Sequence, residues 1–81
     1  MAKTVHLHYY AILREQRGLS QETIKTSLQT PLDLYQELRE KFGFTLSPEL
    51  LKVAVNDEFK DWNTLLRDND TVVFIPPVAG G

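Results

Sequence analysis

An α+β fold, a mixed sheet of about five strands with one main helix packed across it, is predicted by three features of this 81-residue chain. Apolar residues alternate with period two near the start, at Val5, Leu7 and Tyr9, and a strongly β-branched run, Thr71–Ile75, stands near the end. One long central stretch, opened by Thr30-Pro31 and closed by Gly43, carries helical spacing instead. Two polar turn clusters, Asn56-Asp57 and Arg67-Asp68-Asn69-Asp70, cut the second half into short runs.

Lys3 to Tyr10 reads as the first strand, with Val5, Leu7 and Tyr9 facing the core and Thr4, His6, His8 and Tyr10 facing away. Ala11 to Arg17 reads as a short helix closed by Gly18, and Leu19 suits the apolar contact that accompanies a glycine cap. Ser20 to Leu28 is a weaker strand with β-branched Thr23, Ile24 and Thr26. Thr30 is a good N-cap, Pro31 is favoured at the first helical position, and Asp33 meets the positive end of the helix dipole. Leu34, Tyr35, Leu38 and Phe42 give that helix one apolar face.

Leu46 to Leu50 is a turn or short helix around Ser47-Pro48-Glu49. Leu51, Val53 and Val55 alternate with Lys52 and Ala54 in a third strand, and Glu58 to Trp62 is a short fourth. Asn69 accepts positive φ in the turn before the last strand, Thr71 to Ile75, which Pro76 stops. The order is strand, short helix, strand, long helix, three strands, which is a β-grasp arrangement. Residues 1–75 are expected to form the domain and 76–81 an extended tail. No repeat, low-complexity stretch or linker interrupts the domain.

The apolar fraction of 42% is that of a folded globule, and a chain this short has little room for a deep pocket. With no cysteine, disulfides, Cys-based zinc sites and Cys nucleophiles are excluded. Net charge is −2 and no basic stripe stands out, so nucleic acid is not the expected partner. No apolar run has the length of a membrane span, and the start Met-Ala-Lys-Thr-Val-His has no signal-peptide core. The expected location is the cytoplasm or its plastid equivalent.

The last eight residues, Phe74-Ile75-Pro76-Pro77-Val78-Ala79-Gly80-Gly81, are the most informative. Pro76 and Pro77 fix φ and offer no N–H to a sheet. Gly80 and Gly81 make the thinnest tip a chain can present. The reading is a stiff stalk carrying a free carboxylate, with a reach of about 20 Å when fully extended. A frayed end would account for the glycines alone, but not for the Pro-Pro brace after a last strand.

Other candidates have plain structural readings. His6 and His8 share a strand face without an evident third ligand, so solvent-facing histidines are expected there and no metal site. Asp68 and Asp70 read as turn residues rather than a cation site. Arg14 and Arg39 could pair with acidic groups on a partner, against the default of solvated helix charges. No glycine-rich phosphate loop follows a strand, so this chain is expected to bind no ATP or other cofactor itself. Tyr10, Phe59 and Ile75 are large apolar residues expected on an exposed sheet face, where a group of them would mark a docking surface. Trp62 reads as a satellite core residue.

The protruding Gly-Gly end on a β-grasp is the ubiquitin-like pattern. Within it, Tyr10-Ala11-Ile12-Leu13-Arg14-Glu15, Val53-Ala54-Val55-Asn56, Leu66 to Val72 and Phe74 to Gly81 closely resemble the small subunits of molybdopterin synthase. The resemblance covers nearly the whole chain, with Pro-Pro-x-x-Gly-Gly its most specific part. Asn69 stands where that family usually has a turn glycine, and Ile75 where an aromatic is common.

The resemblance implies a sulfur carrier with no complete active site of its own. It implies that a ubiquitin-activating-type enzyme adenylates the Gly81 carboxylate with ATP and that sulfur then converts the glycyl adenylate to a thiocarboxylate. It further implies docking on the large subunit of the synthase, in a heterotetramer. There the tail would donate sulfur to cyclic pyranopterin monophosphate, giving molybdopterin. In this picture Gly81 and Gly80 carry the chemistry, Pro76 and Pro77 aim the tail, and Tyr10, Phe59, Ile75 and Arg14 contact partners. Alternatives are a sulfur carrier for thiamin thiazole synthesis, a protein modifier that forms isopeptide bonds, and an interaction domain with an inert tail.

Overall fold

Five strands form one sheet in the order β2-β1-β5-β3-β4. In chain order the elements are β1 (Lys3–Tyr9), α1 (Ala11–Arg17), β2 (Gln21–Thr26), α2 (Pro31–Phe42), a 3₁₀ turn (Pro48–Leu50), β3 (Lys52–Val55), β4 (Glu58–Lys60) and β5 (Asp70–Ile75). The computed structural model describes residues 2–77; positions 78–81, and with them the expected Gly80 and Gly81, lie outside the described residues. The central pair, β1 and β5, is parallel, and the other three pairings are antiparallel. This is the expected β-grasp.

The period-two pattern sorts the two sheet faces. Val5, Leu7 and Tyr9 of β1, Val53 and Val55 of β3, and Val72 and Phe74 of β5 are buried in one core. Leu34, Tyr35 and Leu38 of α2 enter the same core from the helix side. Full burial of each large apolar side chain is worth about 1.5–3 kcal/mol, so this shared face is what holds the helix to the sheet. Tyr35 sits among Phe44 (ring centroids 5.8 Å), Phe74 (5.0 Å) and Trp62 (6.0 Å), and its hydroxyl donates to the Leu46 carbonyl at 2.8 Å. Burial pushes that phenol above its usual pKa.

Both helices end on glycine in the left-handed region, Gly18 at φ 83° and Gly43 at φ 74°. A side chain there would be strained by backbone conformation alone. The Thr30 hydroxyl accepts from the Asp33 N–H at 3.2 Å, which is the N-cap that Thr30-Pro31 foreshadows. Asn56 (φ 53°) and Asp57 (φ 69°) make a two-residue hairpin turn between β3 and β4, the mirror-type geometry that matches strand twist. Asn69 takes φ 68° as anticipated, and its N–H donates to the Thr4 carbonyl at 2.7 Å.

The acidic turn is structural. Asp68 accepts from the Thr4 N–H at 2.7 Å. Asp70 is buried and accepts from Asn56 Nδ2 (2.9 Å) and the Arg67 N–H (2.8 Å). These bonds tie the β3–β4 turn and the turn before β5 to each other and to β1. Among the described residues no group of three His, Cys, Asp or Glu side chains is placed to hold a metal. No helix among them is long and apolar enough to cross a membrane.

Some expected boundaries shift. The fourth strand stops at Lys60 rather than Trp62, because the Trp62 ring turns inward and stacks on Phe74 at 5.9 Å and 7°. The Trp62 carbonyl there accepts from the Leu32 N–H at 3.0 Å. β2 is shorter than Ser20–Leu28, since Leu28 N–H turns back to the Thr26 hydroxyl at 3.1 Å. Leu19 is 43% exposed, and α1 itself buries only Leu13. Tyr10 leaves the strand and becomes the residue before α1.

A charged cluster locks α1 against the first hairpin. Arg17 grips Glu22 with two bonds (2.8 and 2.9 Å), and the Tyr9 hydroxyl donates to the same carboxylate at 2.7 Å. The Arg17 guanidinium also lies 3.9 Å from the Phe42 ring centroid, reaching the end of α2. The Arg17 fork holds the Glu22 carboxyl below its ordinary pKa, partial burial opposes this, and the Tyr9 bond adds to the lowering. Burial, and then the Glu22 bond, push Tyr9 far above the usual phenol range.

Because Glu22 is depressed in the folded state, its contribution to stability is present above the unfolded carboxyl pKa of about 4.3 and is lost as pH falls through the folded value. Thermal unfolding followed from pH 7 to pH 3 therefore shows a steeper fall at the acid end for the native chain than for Glu22→Gln. Equal slopes would remove Glu22 from the acid response. Thr30→Ala lowers stability by about 1 kcal/mol in urea titrations, as loss of an N-cap does.

Candidate functional site

The last strand divides its side chains between two faces. Asp70, Val72 and Phe74 point to the core, while Thr71, Val73 and Ile75 lie on the opposite, outer face. Register decides what stands beside them. Val73 pairs with Ala54 of β3, and Ala54 pairs in turn with Phe59 of β4. The outer face thus carries an apolar strip, Phe59-Ala54-Val73, running across three strands.

Tyr10 and Ala11, where β1 gives way to α1, close one side of this strip, and Ile75, Pro76 and Pro77 border it where β5 ends. Together they line an open groove of about 560 Å³, with Asp57 of the hairpin turn at its margin. Phe59 is 71% exposed and Tyr10 53%. The large apolar side chains are grouped in one groove rather than scattered, which is the arrangement a contact surface needs. The lining offers apolar area, not a nucleophile paired with a base.

Of the residues singled out from the sequence, Tyr10, Phe59, Ile75, Pro76 and Pro77 meet in this groove. Arg14 does not. It lies on α1, exposed; its N–H donates to the Tyr10 carbonyl at 3.5 Å and its carbonyl accepts from the Gly18 N–H at 2.8 Å. Arg39 is half-buried, and its Nε donates to the Phe44 carbonyl at 3.3 Å. His6 and His8 lie on the outer face as anticipated, with His6 Nδ1 2.9 Å from the Thr23 hydroxyl. Gly80 and Gly81 fall outside the described residues.

Ala54, Val73, Asp57 and Ala11 were not foreseen as parts of the groove. The first two were within reach of strand alternation, since they occupy the outward positions of β3 and β5. Ala11 gave no signal. Its φ is 52°, a left-handed conformation that costs an L-residue about 1 kcal/mol or more. The strain sits where the chain turns from β1 into α1, beside the ring of Tyr10.

Three comparisons bear on this arrangement. The profile described as the ThiS family matches residues 7–81. A molybdopterin synthase sulfur carrier subunit from Drosophila melanogaster is 30% identical over 81 residues, covering 95% of this chain and 90% of that protein. A Pyrococcus furiosus structure assigned to molybdopterin converting factor, subunit 1, superposes with a TM-score of 0.76 at 28% identity, over 94% of this chain and 99% of that one. A Helicobacter pylori 26695 complex of subunits 1 and 2 of molybdopterin-converting factor contains a chain with TM-score 0.65 and 28% identity, over 96% and 99%.

Two outcomes test the geometry itself. Phe59→Ala changes stability by no more than about 0.5 kcal/mol in chemical denaturation, because the ring contributes to no buried cluster. Ala11→Gly raises stability by up to about 1 kcal/mol, the reverse of the usual Ala→Gly effect in a helix, because glycine accepts the left-handed conformation without strain. A loss instead would show that Ala11 carries no strain.

Proposed function

This chain belongs to the ThiS family, and from that membership we propose that it is a sulfur carrier of molybdenum cofactor biosynthesis, the small subunit of a molybdopterin synthase. The observation that carries the reading is the apolar groove that leads into Pro76-Pro77, coupled with relatives named for this role. Alone, the chain is no complete enzyme. Residues 1–75 act as the handle, and 76–81 as the working arm.

The chemistry requires Gly81 to be the terminal residue of the working protein. Its carboxylate oxygen attacks the α-phosphorus of ATP held by a ubiquitin-activating-type enzyme, pyrophosphate leaves, and a glycyl adenylate forms. A sulfide, or a persulfide that a thiol later cleaves, attacks the acyl carbon, and AMP leaves. The product is a thiocarboxylate. It is soft and anionic, and in the active site of the large subunit it gives up its sulfur and returns as the Gly81 carboxylate; two such deliveries supply the two dithiolene sulfurs that turn cyclic pyranopterin monophosphate into molybdopterin.

The division of labour follows from size. A chain of 81 residues with an open groove cannot exclude water around a reactive acyl group, so the deep site is supplied by a partner. Tyr10, Phe59 and Ile75 give the partner an apolar anchor. Pro76 and Pro77 limit the directions the tail can take from that anchor. Gly80 and Gly81 keep its end narrow enough for an enclosed channel. We place the protein in the cytoplasm, with the large subunit and the activating enzyme as its partners, in a heterotetramer with the former.

The test is intact-mass spectrometry after incubation with the activating enzyme, ATP and a sulfur source. The expected outcome is exchange of one terminal oxygen for sulfur. An unchanged mass would leave only an interaction domain, and Gly-Gly remnants on lysines of other proteins would point to a modifier. Deleting Gly81 abolishes sulfur transfer while the thermal midpoint stays put; a large drop in that midpoint would make the tail structural.

A further inference from the structure

The outer sheet face is polarised in charge as well as in polarity. Along the five strands its outward positions are Thr4, His6 and His8 on β1, Gln21, Thr23 and Lys25 on β2, Lys52 and Ala54 on β3, Phe59 on β4, and Thr71, Val73 and Ile75 on β5, as alternation and register require. Not one of the chain's 11 acidic residues is among them. Glu22, Glu58 and Asp70, the acids that do lie on strands, occupy the opposite positions. Among the described residues Asp57 at the hairpin tip is the single carboxylate bordering the groove.

Net charge is nonetheless −2, so the acids are concentrated elsewhere. α2 presents Asp33, Glu37 and Glu40 as exposed residues on the other side of the molecule. Lys25 and Lys52 are exposed, and neither makes an ion pair among the described residues. Lys52 pairs in register with Ile75, directly at the apolar groove, whereas Lys25 stands beyond the two histidines on the far edge strand. The two lysines therefore flank the sheet face from both sides, with donor-capable imidazoles between them.

We infer that the partner seated on the Phe59-Ile75 groove is a protein surface whose apolar contact is flanked by carboxylates, set opposite Lys52 and Lys25. The inference rests on the proposed docking of this face to the large subunit and adds the chemistry of what covers it. Its ground is complementarity. A face free of acids on an acidic molecule gives an approaching anionic surface one favourable orientation, and the helix side repels it. The apolar groove then supplies the anchor, and the lysines supply register and speed of encounter.

The experiment is association kinetics with the purified large subunit, measured over a range of KCl concentrations. Lys25→Glu/Lys52→Glu slows association about tenfold or more at low salt, and the difference shrinks as salt screens it. Lys25→Gln/Lys52→Gln gives a smaller slowing in the same sense, and guards against a folding defect in the reversed pair. Glu37→Lys/Glu40→Lys on α2 leaves the rate near that of the native chain or higher. Native-like association by the reversed pair, with Phe59→Ala weakening the complex, would overturn this inference and leave the docking site standing. Failure of the folded native chain to bind at all would bring down both. Tighter binding of a single-stranded oligonucleotide than of the large subunit would also overturn it.

Discussion

The contact between Phe74 and the pair Tyr35 and Trp62 is the interaction on which the rest depends. Phe74 has no exposed surface, lies 5.0 Å from the Tyr35 ring, and is stacked by Trp62. It fixes the phase of β5. With Phe74 inward, Val73 and Ile75 must be outward, and Pro76 must leave the sheet from the end of that strand. A slip of one residue would exchange the two sets, placing the groove in the core and an aromatic ring in water. The core contact and the outer groove are thus one decision, made by the two-residue period of a six-residue strand.

The surrounding hydrogen bonds protect that phase. β5 lies between β1 and β3, so neither of its edges is free to slide. Its first residue, Asp70, is buried and takes bonds from Asn56 and Arg67, and Asn69 just before it is tied to Thr4. These contacts set where the strand begins. Pro76 sets where it ends, having no N–H to continue a ladder. For the proposed carrier role a strand pinned at both ends is an advantage, since Pro76 and Pro77 continue directly from β5.

Much of this was legible in the sequence because local chemistry and tertiary packing agree. Val5, Leu7 and Tyr9 alternate and are buried; Thr30-Pro31 and Gly43 bracket a helix and do so by the capping bonds their side chains and backbones allow. Asn56-Asp57 and Asn69 take positive φ where turn chemistry placed them. The reading failed where a single side chain overrode its neighbourhood. Trp62 follows β4 closely enough to read as part of it, yet stacking on Phe74 takes it out of the sheet. Ala11 in a left-handed conformation is a property of the β1–α1 corner, and nothing in its identity announces it. The groove itself lay between these cases: Tyr10, Phe59 and Ile75 were visible as apolar residues without a core role, whereas Ala54 and Val73 were hidden by their ordinary size.

The same geometry fits the proposed placement of the chemistry on the terminal residue. A side-chain nucleophile on this sheet would sit in an open groove, in contact with water and with whatever side chains border it. In the proposed function the reacting group is on Gly81 and on none of the sheet side chains, so the globule can be optimised for recognition alone. Recognition then needs area and charge pattern, which a sheet face supplies cheaply, and it does not need a deep cavity, which a chain of this length cannot enclose. The acid-free face and the apolar groove serve one end under this view: each biases how the partner is met, and neither touches the reacting atoms. In the proposed mechanism reactivity is left to a glycine, a residue with no side chain, and its character is set by the enzymes that act on it.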